Sequence, residues 1–184
     1  TAPAESNIYH AAIGGSTNVQ IWEVNYCGSV TINGGDVTAT GGDASSGIGG
    51  GPVSGGKIVI NGGTVTATGG NNAAGIGGGM QGNGGSVTIN GGEVTATGGN
   101  RAAGIGSGTM GGRIQIQING GTVNATGGSQ GAGIGDGMEC SNDGSITITG
   151  GTVTATGGYQ GTGIGGGAKT PGGKITISGG TVTA

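Results

Sequence analysis

The side chains best suited to acid–base, nucleophilic or metal chemistry are eight carboxylates, one histidine and two cysteines. Cleavage of a polysaccharide needs several acidic or basic groups converging on one cleft. Here Asp36 and Glu93 occupy the same repeat position two copies apart, while Asp43, Asp136, Glu139 and Asp143 fall in turns. Asp136, Glu139 and Asp143 are close enough in the chain for a weak calcium site, but solvated loop acids are the preferred reading, so neither a catalytic residue nor a metal is assigned. His10 has no identifiable partner and is expected in a cap. Cys27 and Cys140 form neither a C-x-x-C nor a Cys/His cluster, which gives no basis for zinc. Gly75-Ile76-Gly77-Gly78-Gly79 looks like a phosphate-binding loop, yet no Gly-Lys-Ser/Thr follows, and no cofactor is expected. Asn124-Ala125-Thr126 matches a glycosylation sequon, although its place within a strand argues against use.

The elements that carry these residues are set by an unusual composition. In 184 residues there are 55 glycines, no phenylalanine and 31% hydrophobic residues, so large side chains cannot organise the core. Glycine at this level without a three-residue period and with only three prolines excludes collagen. With 7% charged residues and a formal net charge of −3, no basic surface is available to neutralise a nucleic acid or an anionic membrane. No run of eighteen apolar residues suggests a membrane-inserted helix.

The valines and isoleucines recur at fixed places. Copies of one unit begin at Val30, Ile58, Val87, Ile116, Ile146 and Ile175, with steps of 28, 29, 29, 30 and 29 residues. Each holds three short segments separated by glycine pairs. Val87-Thr88-Ile89-Asn90 and Glu93-Val94-Thr95-Ala96-Thr97 alternate apolar and polar residues, the period of a strand, and Ala103-Gly104-Ile105-Gly106 sets one isoleucine between glycines. Three strands and three turns per copy predict an all-β fold, a parallel β-helix (β-solenoid) of about six coils. Crossovers between parallel strands favour the right-handed form.

The expected inward files follow from the alignment. Val30 and Ile32 head two files on the first side, Val37 and Ala39 two on the second, and Ile48 one on the third, which Ile13 extends. Rungs roughly 4.8 Å apart pair every strand with its neighbours. Stability then belongs to the array, and the end rungs are its weakest part. Gly62-Gly63 and Gly69-Gly70 are expected to turn corners with positive φ. Asn33, Asn61, Asn90 and Asn119 should stack as an amide ladder, continued by Thr149 and Ser178.

Residues 1–29 depart from the repeat and are expected to form a cap and first irregular coil, leaving 30–184 as the solenoid. Tyr9, Trp22 and Tyr26 concentrate in that cap. They either cover the open edge of the first rung or form an aromatic platform for a sugar ring. Cys27 and Cys140 lie four rungs apart, roughly 19 Å against a bridging limit of about 7 Å, which predicts two unpaired thiols. The last copy stops mid-coil, offering a rung for self-association into a filament. A second self-association surface is the third side, expected as a flat wall of glycines around the isoleucine file.

The second side suggests a ligand face. Its outward positions file Thr38, Thr66, Thr95 and Thr154 beside Thr40, Thr68, Thr97, Thr126 and Thr156, with Thr64, Thr122 and Thr152 in a third file. Threonine suits strands and pairs well across rungs for structural reasons alone. The same flat array resembles the ice-binding side of β-solenoid antifreeze proteins, although Asp36, Glu93 and Asn124 interrupt it. Stacked hydroxyls and amides also suit a polysaccharide or surface glycan.

The phrase GGTVTATGG, here ending at Gly158, followed by GTGIGGG over residues 161–167, resembles the repeat of secreted bacterial surface proteins. That resemblance covers 30–184. It implies an extracellular, cell-surface adhesive or carbohydrate-binding module. The scattered acids add the expectation of a non-enzymatic structural or adhesive role, with ice binding on the threonine face and end-to-end filament formation as alternatives.

Overall fold

The computed structural model describes residues 11–14, 28–83, 85–141 and 144–184. The expected cap, with Tyr9, His10, Trp22, Tyr26 and Cys27, lies outside the described residues. The strands of the described residues form three six-stranded parallel sheets. Along the chain the strands come in repeating order: four residues on the first side, five on the second and two on the third, as in Ser86–Ile89, Glu93–Thr97 and Ile105–Gly106. Five such turns are complete. Ile13–Gly14 precedes them, and Lys174–Ile177 with Thr181–Thr183 begin a sixth.

The register agrees with the aligned copies. Val30 pairs with Ile58 and Ile58 with Val87, Val94 sits between Val65 and Val123, and Ile13 pairs with Ile48. Val and Ile alternate with polar residues on the first two sides, so one set of side chains enters the interior and the other faces out. Ile58, Ile60, Val65, Val87, Ile89, Val94, Ile105 and Ile118 are wholly buried there, and the alanines beside the valines, such as Ala67 and Ala96, are buried with them. On the last rung Ile175 and Ile177 are 43% and 50% exposed, whereas their neighbours Ile146 and Ile148 are buried. Burial thus depends on having a rung on both sides.

Glycine serves the corners in two ways. At the first corner Gly63 has φ of 91°, the expected left-handed conformation, whereas Gly62 does not take positive φ. Gly69 and Gly70 depart from expectation, since neither has positive φ. Their position demands glycine for closeness instead: a Cβ on Gly70 would strike the Gly42 carbonyl and one on Gly69 the Ala73 carbonyl.

The third side also differs from the expected open glycine wall. Ala73 through Gly79 are buried, and a Cβ on Gly75 would come within 2.8 Å of the Thr97 carbonyl and amide of the second side. These glycines bring backbone against backbone inside the chain. Beyond them, Val53, Gln81, Met110, Glu139 and Lys169 carry φ of 62°, 59°, 55°, 56° and 58°. Non-glycine residues pay about 1–2 kcal/mol for this conformation. Inter-rung hydrogen bonds compensate: the N–H groups of Gln81, Met110 and Glu139 donate to the carbonyls of Thr109, Met138 and Ala168 at 2.7, 2.8 and 3.0 Å.

Candidate ligand face

The second-side strands position the threonines. Because Val and Ala occupy the inward alternate positions, residues one, three and five of each five-residue strand must face out. Parallel pairing then files them in register: Thr38, Thr66, Thr95, Asn124, Thr154 and Thr183 in the middle, and Thr40, Thr68, Thr97, Thr126 and Thr156 at one edge. The remaining file reads Asp36, Thr64, Glu93, Thr122, Thr152 and Thr181. Thr68 is half-buried, and the other candidate threonines are exposed. None of these hydroxyls hydrogen-bonds to another described residue, so the face has donors and acceptors to offer outward.

One edge of this face is polar. After the Gly-Gly corner, successive rungs present Asp43, Asn71, Asn100, Ser129 and Tyr159, all exposed. Beside them Gln130 Nε2 donates to Gln160 Oε1 at 2.9 Å. Tyr159 is 92% exposed and was not among the aromatic candidates of the sequence. Its signal was positional: it takes the place of Asn71 and Asn100, three residues beyond the edge threonine.

The amide ladder at the opposite corner forms as expected from Asn33 to Thr149, but among the described residues no side-chain hydrogen bond extends it to Ser178. Asn61 Nδ2 donates to Asn33 Oδ1, Asn90 Nδ2 to Asn61 Oδ1 and Asn119 Nδ2 to Asn90 Oδ1, at 2.8, 2.7 and 2.8 Å. Thr149 Oγ1 closes it on Asn119 Oδ1 at 2.9 Å.

Among the described residues the acids do not converge. Asp136, expected as a solvated loop acid, is buried because it replaces the small residues of a file shared with Gly78, Ser107 and Gly166. Ser107 Oγ donates to its Oδ1 at 2.7 Å. Burial pushes the Asp136 carboxyl above its ordinary value, and the Ser107 bond opposes that rise. The nearby Cys140 thiol, free and buried, is raised by burial first and by Asp136 further, with hydrogen bonds opposing. A raised thiol pKa disfavours the reactive thiolate. Glu139 instead points outward to Lys169 Nζ at 2.7 Å. Asp143 of the considered calcium triad lies outside the described residues, and the other two acids are engaged with different partners. An open cleft of about 540 Å³ lies at the loop corner between Asn83, Met110, Arg113, Glu139 and Ser141, away from the threonine strands.

Six segments, 30–52, 58–80, 87–109, 116–138, 146–168 and 175–184, match the family model described as the beta helix repeat. Together they cover more than half of the chain. The chain belongs to the beta helix repeat family. Each beta helix repeat segment begins at a first-side aliphatic residue, from Val30 to Ile175, and the five longer ones end past the third-side strand. No curated protein and no solved structure matches this beta helix repeat chain.

Proposed function

We propose that this beta helix repeat chain is a non-enzymatic extracellular module of a bacterial surface protein, adhesive through polysaccharide bound along its threonine face. One observation carries the reading: the filed threonines other than Thr68 are exposed, and their hydroxyls are unspent on other described residues. Each offers one donor and two acceptors beside a methyl group, which matches the mixed hydroxyl and C–H faces of a sugar. The ladders hold the array before ligand arrives, which lowers the ordering cost of binding. Tyr159 at the polar edge supplies a ring for stacking. The non-catalytic reading is supported by the separate engagements of Asp136 with Ser107 and Glu139 with Lys169.

Retention on immobilised polysaccharides tests it. A Thr66→Val, Thr95→Val, Thr154→Val variant keeps the β-branched shape but loses three hydroxyls. At about 0.5–1.5 kcal/mol per hydrogen bond, it should bind at least roughly tenfold more weakly. Binding by the parent but equal retention of the variant would place the ligand elsewhere, and no retention on any polysaccharide would reject the reading.

Ice binding is the second reading, favoured by the in-register threonine files, which complete a Thr-x-Thr-x-Thr rung at Thr64–Thr68 and again at Thr152–Thr156. Thermal hysteresis, lost in the same variant, would select it over carbohydrate. Asp36, Glu93 and Asn124 within the array weigh against it.

A further inference from the structure

The corner between the first and second sides repeats one dipeptide, at Asn33-Gly34, Asn61-Gly62, Asn90-Gly91 and Asn119-Gly120. Asn-Gly is prone to lose its side-chain amide, because a glycine without a Cβ lets its backbone nitrogen approach the asparagine Cγ. In three of the four copies the structure opposes that approach. The Nδ2 groups of Asn61, Asn90 and Asn119 are held by the asparagine one rung earlier. Their backbone N–H groups donate to the carbonyls of Ile32, Ile60 and Ile89 at 2.7, 2.8 and 2.8 Å. The space at the following glycine is also closed, since a Cβ on Gly62, Gly91 or Gly120 would lie 3.2, 2.9 or 2.7 Å from the carbonyl of the preceding rung's asparagine.

Asn33 has only the accepting half of this arrangement. Its Oδ1 receives the Asn61 amide, but among the described residues neither its Nδ2 nor its backbone N–H finds an acceptor. Nothing lies within 4 Å of a Cβ placed on Gly34. The side chain is exposed to water.

We propose that Asn33 is a site of spontaneous covalent modification, passing through a succinimide to aspartate and isoaspartate, from which the stacked amides shield Asn61, Asn90 and Asn119. The Gly34 backbone nitrogen attacks Asn33 Cγ, closing a five-membered ring through a new C–N bond. The Cγ–Nδ2 bond breaks, and the side-chain nitrogen takes the proton given up by Gly34 and leaves as ammonia. Water then opens the ring at either carbonyl, and no electron transfer is involved. Aspartate at this position still presents an oxygen to the Asn61 donor. Isoaspartate adds a methylene to the backbone of the first corner.

The full chain, aged in mildly alkaline buffer at body temperature and peptide-mapped by mass spectrometry with isoaspartate detection, tests this. Conversion at Asn33 should run roughly tenfold ahead of the other three, the factor that losing about one side-chain hydrogen bond allows. Equal rates, or conversion led by Asn61, Asn90 or Asn119, would overturn the proposal. In Asn61→Ala the Asn90 amide loses its acceptor, and its conversion should rise several-fold while Asn119, still bonded to Asn90, keeps its rate. Circular dichroism matching the parent separates this effect from unfolding. An unchanged Asn90 rate in a folded variant would remove the ladder from the explanation.

Discussion

Ser107 and Asp136 meet one rung apart inside the solenoid, the serine hydroxyl donating to the carboxylate at 2.7 Å where Gly78 and Gly166 stand in the flanking copies. This is a buried acid with a neutral partner. Burial raises its pKa above 3.8, so the unfolded chain releases this proton first as pH rises. Its stabilising contribution is therefore complete below the unfolded value and lost as pH climbs through the folded one. Asp136→Asn keeps an oxygen acceptor for Ser107 and removes the titration. Relative to the parent, the variant should gain stability from acid to neutral pH, read from urea midpoints across that range. Parallel pH profiles would contradict this.

The aliphatic files predict a position effect within one residue type. Ile105 is wholly buried in the middle of the array, whereas Ile177 on the last rung is half exposed. Ile105→Ala should cost about 2–5 kcal/mol. Ile177→Ala should cost only about 1 kcal/mol, because about half of its surface stays in water. Thermal or urea unfolding of the two variants checks the contrast.

Glycine positions should divide as sharply. Gly106 has φ of 140°, and a Cβ there would run into the Gly135 carbonyl. Gly106→Ala should destabilise by on the order of 3 kcal/mol or more and reduce the yield of folded protein. Gly34→Ala, with open space around it, should stay within about 1 kcal/mol of the parent.

The Glu139–Lys169 ion pair should matter little. Its side chains are 38% and 74% exposed, so solvent screens the attraction. Lys169→Ala should shift stability by less than about 0.5 kcal/mol, measured by denaturant unfolding.

What the sequence made legible was whatever repeats. Val94 recurs as Val65 and Val123 in register, and Asn61 stacks on Asn33, because one residue type at one position has one environment in every coil. Departures from the repeat were harder to read. Asp136 looked like a loop acid because acids are usually solvated, yet its position belongs to a file of glycines and serine that the chain keeps inside. The left-handed run from Val53 to Lys169 was hidden for a related reason. Valine and lysine do not announce positive φ, and at Val53, Gln81, Met110 and Glu139 it is held by backbone N–H groups donating to the next rung rather than by residue type. Tyr159 is a lone aromatic in the repeat region, at a corner position that other copies fill with aspartate, asparagine or serine, whereas Tyr9, Trp22 and Tyr26 lie together ahead of the first copy.

The threonine face exists only if strands stack in parallel and in register, and a distance along one file measures this. Thr38 and Thr183 occupy the same file, linked through Thr66, Thr95, Asn124 and Thr154. Spin labels at these two positions, with Cys27 and Cys140 replaced by serine, should give one narrow distance centred near 24 Å, five rungs at roughly 4.8 Å each. A broad distribution, or a distance that does not grow by about one rung spacing as the first label stays at Thr38 and the second moves from Thr154 to Thr183, would contradict the fold and the face with it.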